Sequence, residues 1–244
     1  MSESEGSRPE KLLDIDILTL YPELFPGPLG ESVIGRASER GIVGMNARNL
    51  RNWARDERGT VDDRPYGGGP GMLMMADPVV SAVESVRRPE SLVVLTSPRG
   101  EVFDQRLARE LSQCRHLVIV TGHFEGVDQR AIDLAVDREI SLGDFVLSSG
   151  VLAAMIICDA VIRLLPGVLG DDSSSCEESH SNGLLEYPQY TRPPVYRGLA
   201  VPEYLQSGDH GRIAKIRQTE MERLTRERRP DLWKKYLIQT EDEV

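Results

Sequence analysis

Residues 91–150 read SLVVLTSPRG EVFDQRLARE LSQCRHLVIV TGHFEGVDQR AIDLAVDREI SLGDFVLSSG, and this stretch decides the fold. Ser91 to Leu95 and His116 to Val120 are short, unbroken apolar runs, the pattern of strands buried on both faces. Residues 104–112 and 128–135 read as helices, and residues 138–142 as a third strand. Strands alternating with helices imply an α/β fold with a parallel sheet covered on both sides. Working outward, Ile15 and Ile17 alternate with Asp14 and Asp16 in a strand ending near Leu20. A helical stretch over residues 30–40 and a strand over 43–48 follow. Asp77-Pro78 opens a further helix in cap-then-proline order, with Val79, Val80, Val83 and Val86 on one face.

Beyond the opening stretch, VLAAMIICDAVIRLL (151–165) is apolar nearly all the way round and stops at Pro166-Gly167. Such a helix is deeply buried or lies in a subunit interface. Residues 170–183 (GDDSSSCEESHSNG) have a linker's composition. Residues 209–229 and 231–237 read as helices of a second, smaller domain. The expected organisation is a disordered tail over 1–11, an α/β domain over 12–169, a linker over 170–183 and a helical domain over 184–244.

Composition bounds the function. The chain has 244 residues, 29 Lys+Arg against 39 Asp+Glu, and a formal net charge of −10. Its longest apolar run, residues 151–158, falls far short of the roughly 18 residues that span a bilayer. The acidic start MSESEGSRPE has no signal pattern, and three cysteines at irregular spacing are no disulfide framework, so a cytoplasmic protein is expected. The net charge taken alone speaks against a nucleic-acid partner. The distribution does not: residues 101–180 hold 14 acids and six bases, whereas 212–235 hold nine Lys/Arg and four acids. That basic segment is either a solvated face with i,i+4 pairs or a phosphate-contacting surface.

Several segments could carry chemistry. The glycine cluster at 62–72 (DDRPYGGGPGM) is neither GxGxxG nor a P-loop, and suits a wide surface turn or a close backbone approach to a ligand. Loops of small residues at 96–100, 121–126 and 143–150 follow three strands, where open α/β sheets bind ligands. Together they suit an adenosine-like ligand held through backbone groups, or are simply strand–helix connections. Arg163 lies four residues after Asp159, either as a local ion pair or as a guanidinium facing a ligand. Glu177 and Glu178 read alone as solvated acids. Cys176 and His180 are the only metal-like pair, and no Ser/His/Asp arrangement stands out. The strand–helix alternation alone also admits a nucleotide-binding oxidoreductase, for which no fingerprint is present.

Six ordered motifs narrow these alternatives: DDRPYGGGPGMLMM (62–75), GHFEGVDQR (122–130), EISLGDFVL (139–147), RLLPGVLG (163–170), GLLEYPQYTRPP (183–194) and VPEYLQSGDH (201–210). In them the chain resembles the bacterial tRNA (guanine-N1) methyltransferases, knotted enzymes of the SPOUT type, over residues 12–235. The resemblance implies methyl transfer from S-adenosylmethionine to N1 of the guanine just 3′ to a tRNA anticodon. It also implies a homodimer with active sites built from both chains, a trefoil knot near residues 95–150, and a helical C-terminal domain that grips tRNA.

Carried over residue by residue, the resemblance lines the cofactor site with Ser97, Pro98, Gly122, Glu125, Gly126, Leu142, Gly143, Asp144, Phe145, Val146, Leu147 and Gly150. Arg163 matches the catalytic arginine, and Glu178 falls where the family usually has an aspartate general base. Arg192, Arg212, Lys215 and Arg217 are the implied tRNA contacts. Magnesium is implied as an aid, with no dedicated site and no protein metal ligand. The chain departs from the pattern at His123-Phe124 (usually Arg-Tyr), Phe145 (usually Tyr), Ser149-Gly150-Val151 (usually Gly-Gly-Glu) and Glu178. These departures leave a non-catalytic tRNA- or cofactor-binding paralogue as the alternative.

Overall fold

A computed structural model of the chain describes residues 11–170 and 178–242. The expected tail, apart from Lys11, lies outside the described residues. So do residues 171–177 of the expected linker, with Glu177 and Cys176, and hence the Cys176/His180 pair. The chain divides into two compact units, residues 1–170 and 171–244.

The first unit is built on a five-stranded sheet in the order β2-β1-β6-β5-β7, every pair of neighbours parallel. Its strands are β1 (Leu13–Thr19), β2 (Val43–Asn49), β5 (Ser91–Val102), β6 (His116–Thr121) and β7 (Arg138–Ser141). Two short strands, β3 (Asp62–Asp63) and β4 (Leu73–Met74), form a separate antiparallel pair. Every residue of β6 is buried, as expected of a central parallel strand covered on both faces. Helices α1 (Pro26–Leu29), α2 (Ser32–Glu39), α4 (Gln105–Ser112) and α6 (Val151–Ile162) cover one face, around Ile15, Ile17, Leu117 and Ile119. Helices α3 (Ala76–Val86) and α5 (Gln129–Ala135) cover the other, around Leu18, Val93, Val118 and Val120. The α/β sheet read from the sequence is present.

Three readings need correction. The expected loop at 96–100 lies inside β5, because Thr96 and Glu101 both pair with Ile140 and residues 97–100 bulge out between them. Gly100 fits there because a Cβ would stand 2.4 Å from the Ile140 nitrogen. Second, α3 begins at Ala76 with no side-chain cap. Asp77 instead holds Arg55 in a two-pronged ion pair, both contacts 2.7 Å. Third, a Ser/His/Asp row does form, from residues too far apart in sequence to be read as a motif. Ser91 Oγ accepts from the Arg88 amide (2.7 Å) and is hydrogen-bonded to His116 Nδ1 (2.5 Å). His116 Nε2 then donates to Asp16 (3.1 Å), which also accepts from Arg48 (2.7 Å). The ring is turned opposite to that of a hydrolytic triad, and His116 is fully buried, so the row ties four strands together.

Helix α6 is buried along most of its circumference, but Leu152 and Ile156, one turn apart, are 54% and 51% exposed. In the second unit, a two-stranded hairpin of β8 (Val195–Tyr196) and β9 (Leu199–Ala200) precedes α7 (His210–Arg228) and α8 (Pro230–Asp242). Asp209 caps α7 by accepting from the Arg212 amide (3.0 Å).

Candidate active site

The bulge within β5 and the carboxyl ends of β6 and β7 surround a cavity of about 580 Å³. Three segments build its wall: the bulge after Thr96, the turn after Thr121 and the long loop before α6. Of the residues implied as cofactor-binding, Ser97, Pro98, Gly122, Glu125, Gly126, Leu142, Phe145, Val146, Leu147 and Gly150 line it. Gly143 and Asp144 belong to the same loop but are not among the lining residues. Gly143 has φ +143°, a conformation natural to glycine, and its carbonyl accepts from both the Ser141 hydroxyl (3.1 Å) and the Phe145 amide (2.9 Å).

The loops are pinned to one another. The Gly150 amide donates to the Gly122 carbonyl at 2.7 Å, joining the third loop to the second. The glycine cluster at 62–72 is more than a surface turn at its far end. The Glu125 amide donates to the Met72 carbonyl (2.9 Å), the Met74 amide to the Gly126 carbonyl (2.9 Å), and Leu73 reaches the cavity wall. Gly67, Gly68 and Gly69 are exposed.

Thr96, Arg99, His123 and Phe124, which lie in the loops read as ligand-holding, also line the cavity, as do Gln129, Ile140 and Ala153, which sequence reasoning did not place there. His123 is the most informative of these. Burial, helped by the positive charge of Arg51, pushes its imidazole down to about 4, so it is neutral at physiological pH. Thr121 Oγ1 gives its hydrogen to the Leu18 carbonyl (3.3 Å) and therefore accepts from His123 Nε2–H (3.2 Å), which fixes the tautomer. The wall is more apolar than polar, its polar side chains being Thr96, Ser97, Arg99, His123, Glu125, Gln129, Ser141, Ser148 and Ser149. A concave site of this size with polar groups set in a more apolar wall suits a nucleoside-sized ligand.

Arg163 caps the C-terminus of α6, its amide donating to the Asp159 carbonyl (3.1 Å), and is not part of the cavity lining. Glu178 belongs to the second unit, where its carbonyl accepts from the Ser181 amide (3.1 Å). Arg212 and Lys215 border a shallow hollow at the start of α7, with Asp209, Gly211 and Ile216. Arg217 lies over the Tyr187 ring at 4.3 Å. Arg192 is exposed. Among the described residues, no group of three or more His, Cys, Asp or Glu is placed to hold a metal ion, and no helix is long and apolar enough to cross a membrane.

A parallel α/β sheet with a ligand-sized cavity at its strand ends belongs to the class of ligand-binding α/β proteins. Comparison with known proteins makes the class specific. The tRNA (Guanine-1)-methyltransferase TrmD family matches residues 13–235, and the chain belongs to it. A tRNA (guanine-N(1)-)-methyltransferase of Geobacter sp. (strain M21) is 53% identical over 222 residues, covering 90% of this chain and 89% of that protein. The proteins of the same name from Chloroflexus aggregans and Carboxydothermus hydrogenoformans are 53% and 49% identical, covering 89% and 95% of this chain and 86% and 92% of their own lengths.

Proposed function

We propose that this chain transfers a methyl group from S-adenosylmethionine to N1 of the guanine immediately 3′ to the anticodon of tRNA. The observation that carries the reading is the cavity at the β5 bulge and the ends of β6 and β7, in a chain about half identical to enzymes bearing that activity's name. Its mainly apolar wall suits an adenosine moiety, and its pinned loops offer backbone groups to hold one. The bound cofactor supplies an electrophilic methyl group on a sulfonium. Glu178 acts as general base and takes the proton from guanine N1, because that nitrogen is a poor nucleophile while protonated. Arg163 meets the negative charge that then spreads towards O6. The N1–CH3 bond forms as the S–CH3 bond breaks, and no covalent enzyme intermediate is needed.

The same reading supplies the rest of the architecture. Residues 95–150 form the deep trefoil knot of the SPOUT type. Two copies associate through the apolar surface formed by Phe145, Val146, Leu147, Leu152 and Ile156, all exposed in the single chain. Residues 170–183 act as linker, and the 184–244 domain holds the tRNA through Arg192, Arg212, Lys215 and Arg217. The enzyme is cytoplasmic, with magnesium assisting and no dedicated protein site for it.

The test incubates the protein with labelled S-adenosylmethionine and a tRNA transcript carrying guanine or adenine at the target position. Label enters only the guanine transcript. Glu178→Gln and Arg163→Ala each abolish transfer while cofactor binding by calorimetry survives. Cofactor and tRNA binding without transfer by the unaltered protein would favour a non-catalytic paralogue.

A further inference from the structure

The second unit contains an exposed surface of which the implied tRNA contacts include only Arg192. Residues 188–200 are exposed without interruption, and the stretch includes Tyr190, Val195, Tyr196 and Leu199. Tyr196 and Leu199, paired across the β8–β9 hairpin, are 61% and 78% exposed. A two-stranded hairpin with large apolar side chains in water gains nothing from burial, so its sequence needs another explanation.

The charge on this surface chooses the occupant. No acid occurs between Glu186 and Glu203, while Arg192 and Arg197 both fall in that interval. The exposed stretch therefore presents aromatic rings and cations together, with Tyr196 and Arg197 on the hairpin itself, the combination that takes stacked bases and phosphates. Its tip sharpens the point. Arg197 and Gly198 are the two turn residues, with φ +49° and +84°, the conformation in which Asn-Gly is the favoured pair. An arginine there accepts backbone strain at the tip of the hairpin. Its guanidinium lies 5.4 Å from the Tyr196 ring centroid. Two further arginines of this unit are laid on rings, Arg217 over Tyr187 and Arg226 over Trp233. Three such pairs in one unit of 74 residues, residues 171–244, exceed the usual one per 70–80 residues.

We infer that the β8–β9 hairpin is a second RNA contact, in which Tyr196 stacks on an unpaired base and Arg197 meets an adjacent phosphate. This rests on the reading of tRNA as substrate and adds to it a base-stacking element outside the basic start of α7.

The test uses the full chain and an unmodified tRNA transcript, with affinity measured by fluorescence anisotropy across a salt series. Tyr196→Ala weakens binding about tenfold with an unchanged salt slope, and Tyr196→Phe restores it, because a ring and not a hydroxyl is required. Arg197→Asn raises the melting temperature, since asparagine suits the turn, yet weakens RNA binding and lowers the salt slope by about one. Opposite signs on stability and affinity separate a binding role from a structural one. Unchanged affinity in both variants, with a normal unaltered protein, overturns the proposal, and a loss of dimer mass in Tyr196→Ala by ultracentrifugation would reassign the hairpin to a protein contact. If the unaltered protein itself fails to bind tRNA, the functional reading fails first.

Discussion

Replacing Gly150 by alanine adds one methyl group at the point where the cofactor loops are pinned. Gly150 has an ordinary backbone conformation (φ −74°, ψ 0°), so a side chain costs it nothing in torsion. Space is what glycine provides. A Cβ built there stands 1.9 Å from Thr96 Oγ1, 2.8 Å from the Gly122 nitrogen and 3.1 Å from Thr96 Cβ. Thr96 is buried, and its hydroxyl donates to the Val120 carbonyl (3.3 Å) while accepting from the Gly122 amide (3.4 Å), so rotating it away breaks two bonds. The Gly122 nitrogen is backbone and can yield only if the loop shifts, which strains the 2.7 Å bond from Gly150 to the Gly122 carbonyl.

Overpacking of this kind costs about 1–3 kcal/mol. For a unit of this size, about 2 kcal/mol lowers the melting temperature by roughly 4–8 °C. Calorimetric titration with S-adenosylmethionine is expected to show weakened binding as well, because the displaced loop is a wall of the cavity. Thr96→Ala alone loses a buried hydroxyl's bonds, about 1 kcal/mol. In the double variant, however, it also removes the nearest clash, so the two losses should fall short of additive by about 1 kcal/mol. A Gly150→Ala protein that melts within a degree of the unaltered one and binds cofactor equally would refute the argument. So would strict additivity in the double variant.

His123 gives a pH prediction. Its folded-state value near 4 lies below the value near 6.5 expected when unfolded, so the unfolded chain takes up the proton first as pH falls. Stability from this group is complete above about pH 6.5 and is lost towards pH 4, by up to about 3 kcal/mol. The stability advantage over His123→Asn in urea melts should shrink from pH 7.5 to pH 5, and a pH-independent difference would contradict it. Cys158 is fully buried, and burial pushes its thiol up to about 12, so alkylation with iodoacetamide followed by peptide mapping should label it only after unfolding. If Arg192, Arg212, Lys215 and Arg217 each meet a phosphate, log Kd for tRNA should rise with log salt with a slope of about 3, and a flat response would remove them from the interface.

How much of this was legible beforehand follows from where the determining contacts lie. The strands at 91–95 and 116–120 announce themselves because parallel strands buried on both faces need apolar side chains at every position. The bulge at 97–100 does not, since what creates it is the double pairing of Ile140, some forty residues further on. The loops at strand ends were readable as a ligand site, but Ile140 and Ala153 reach the cavity from inside a strand and a helix, where their types look like ordinary core. The Arg48–Asp16–His116–Ser91 row is assembled by strand order, which no local pattern encodes. Arg163 and Glu178 each have a bland local explanation, and only the resemblance singled them out.

Charge is where the sequence was most misleading, and the structure divides it further than composition could. The basic segment at 212–235 had two readings, and ion pairs bear out the first for part of it. In its second half the acids are partnered: Arg223 is paired with Glu220 and Glu227, both at 2.7 Å, and Arg229 with Asp231 at 2.6 Å. Arg223 and Arg229 belong to a solvated, internally paired face, with Arg223–Glu227 at the i,i+4 spacing. From His210 to Thr219, by contrast, α7 carries Arg212, Lys215 and Arg217 and no acid. A phosphate approaching the second unit meets a few local cations, whatever the chain's total of −10, because at physiological ionic strength charges more than about 8 Å away are largely screened. A strongly acidic protein can therefore hold an RNA, provided its acids are kept at a distance or already paired.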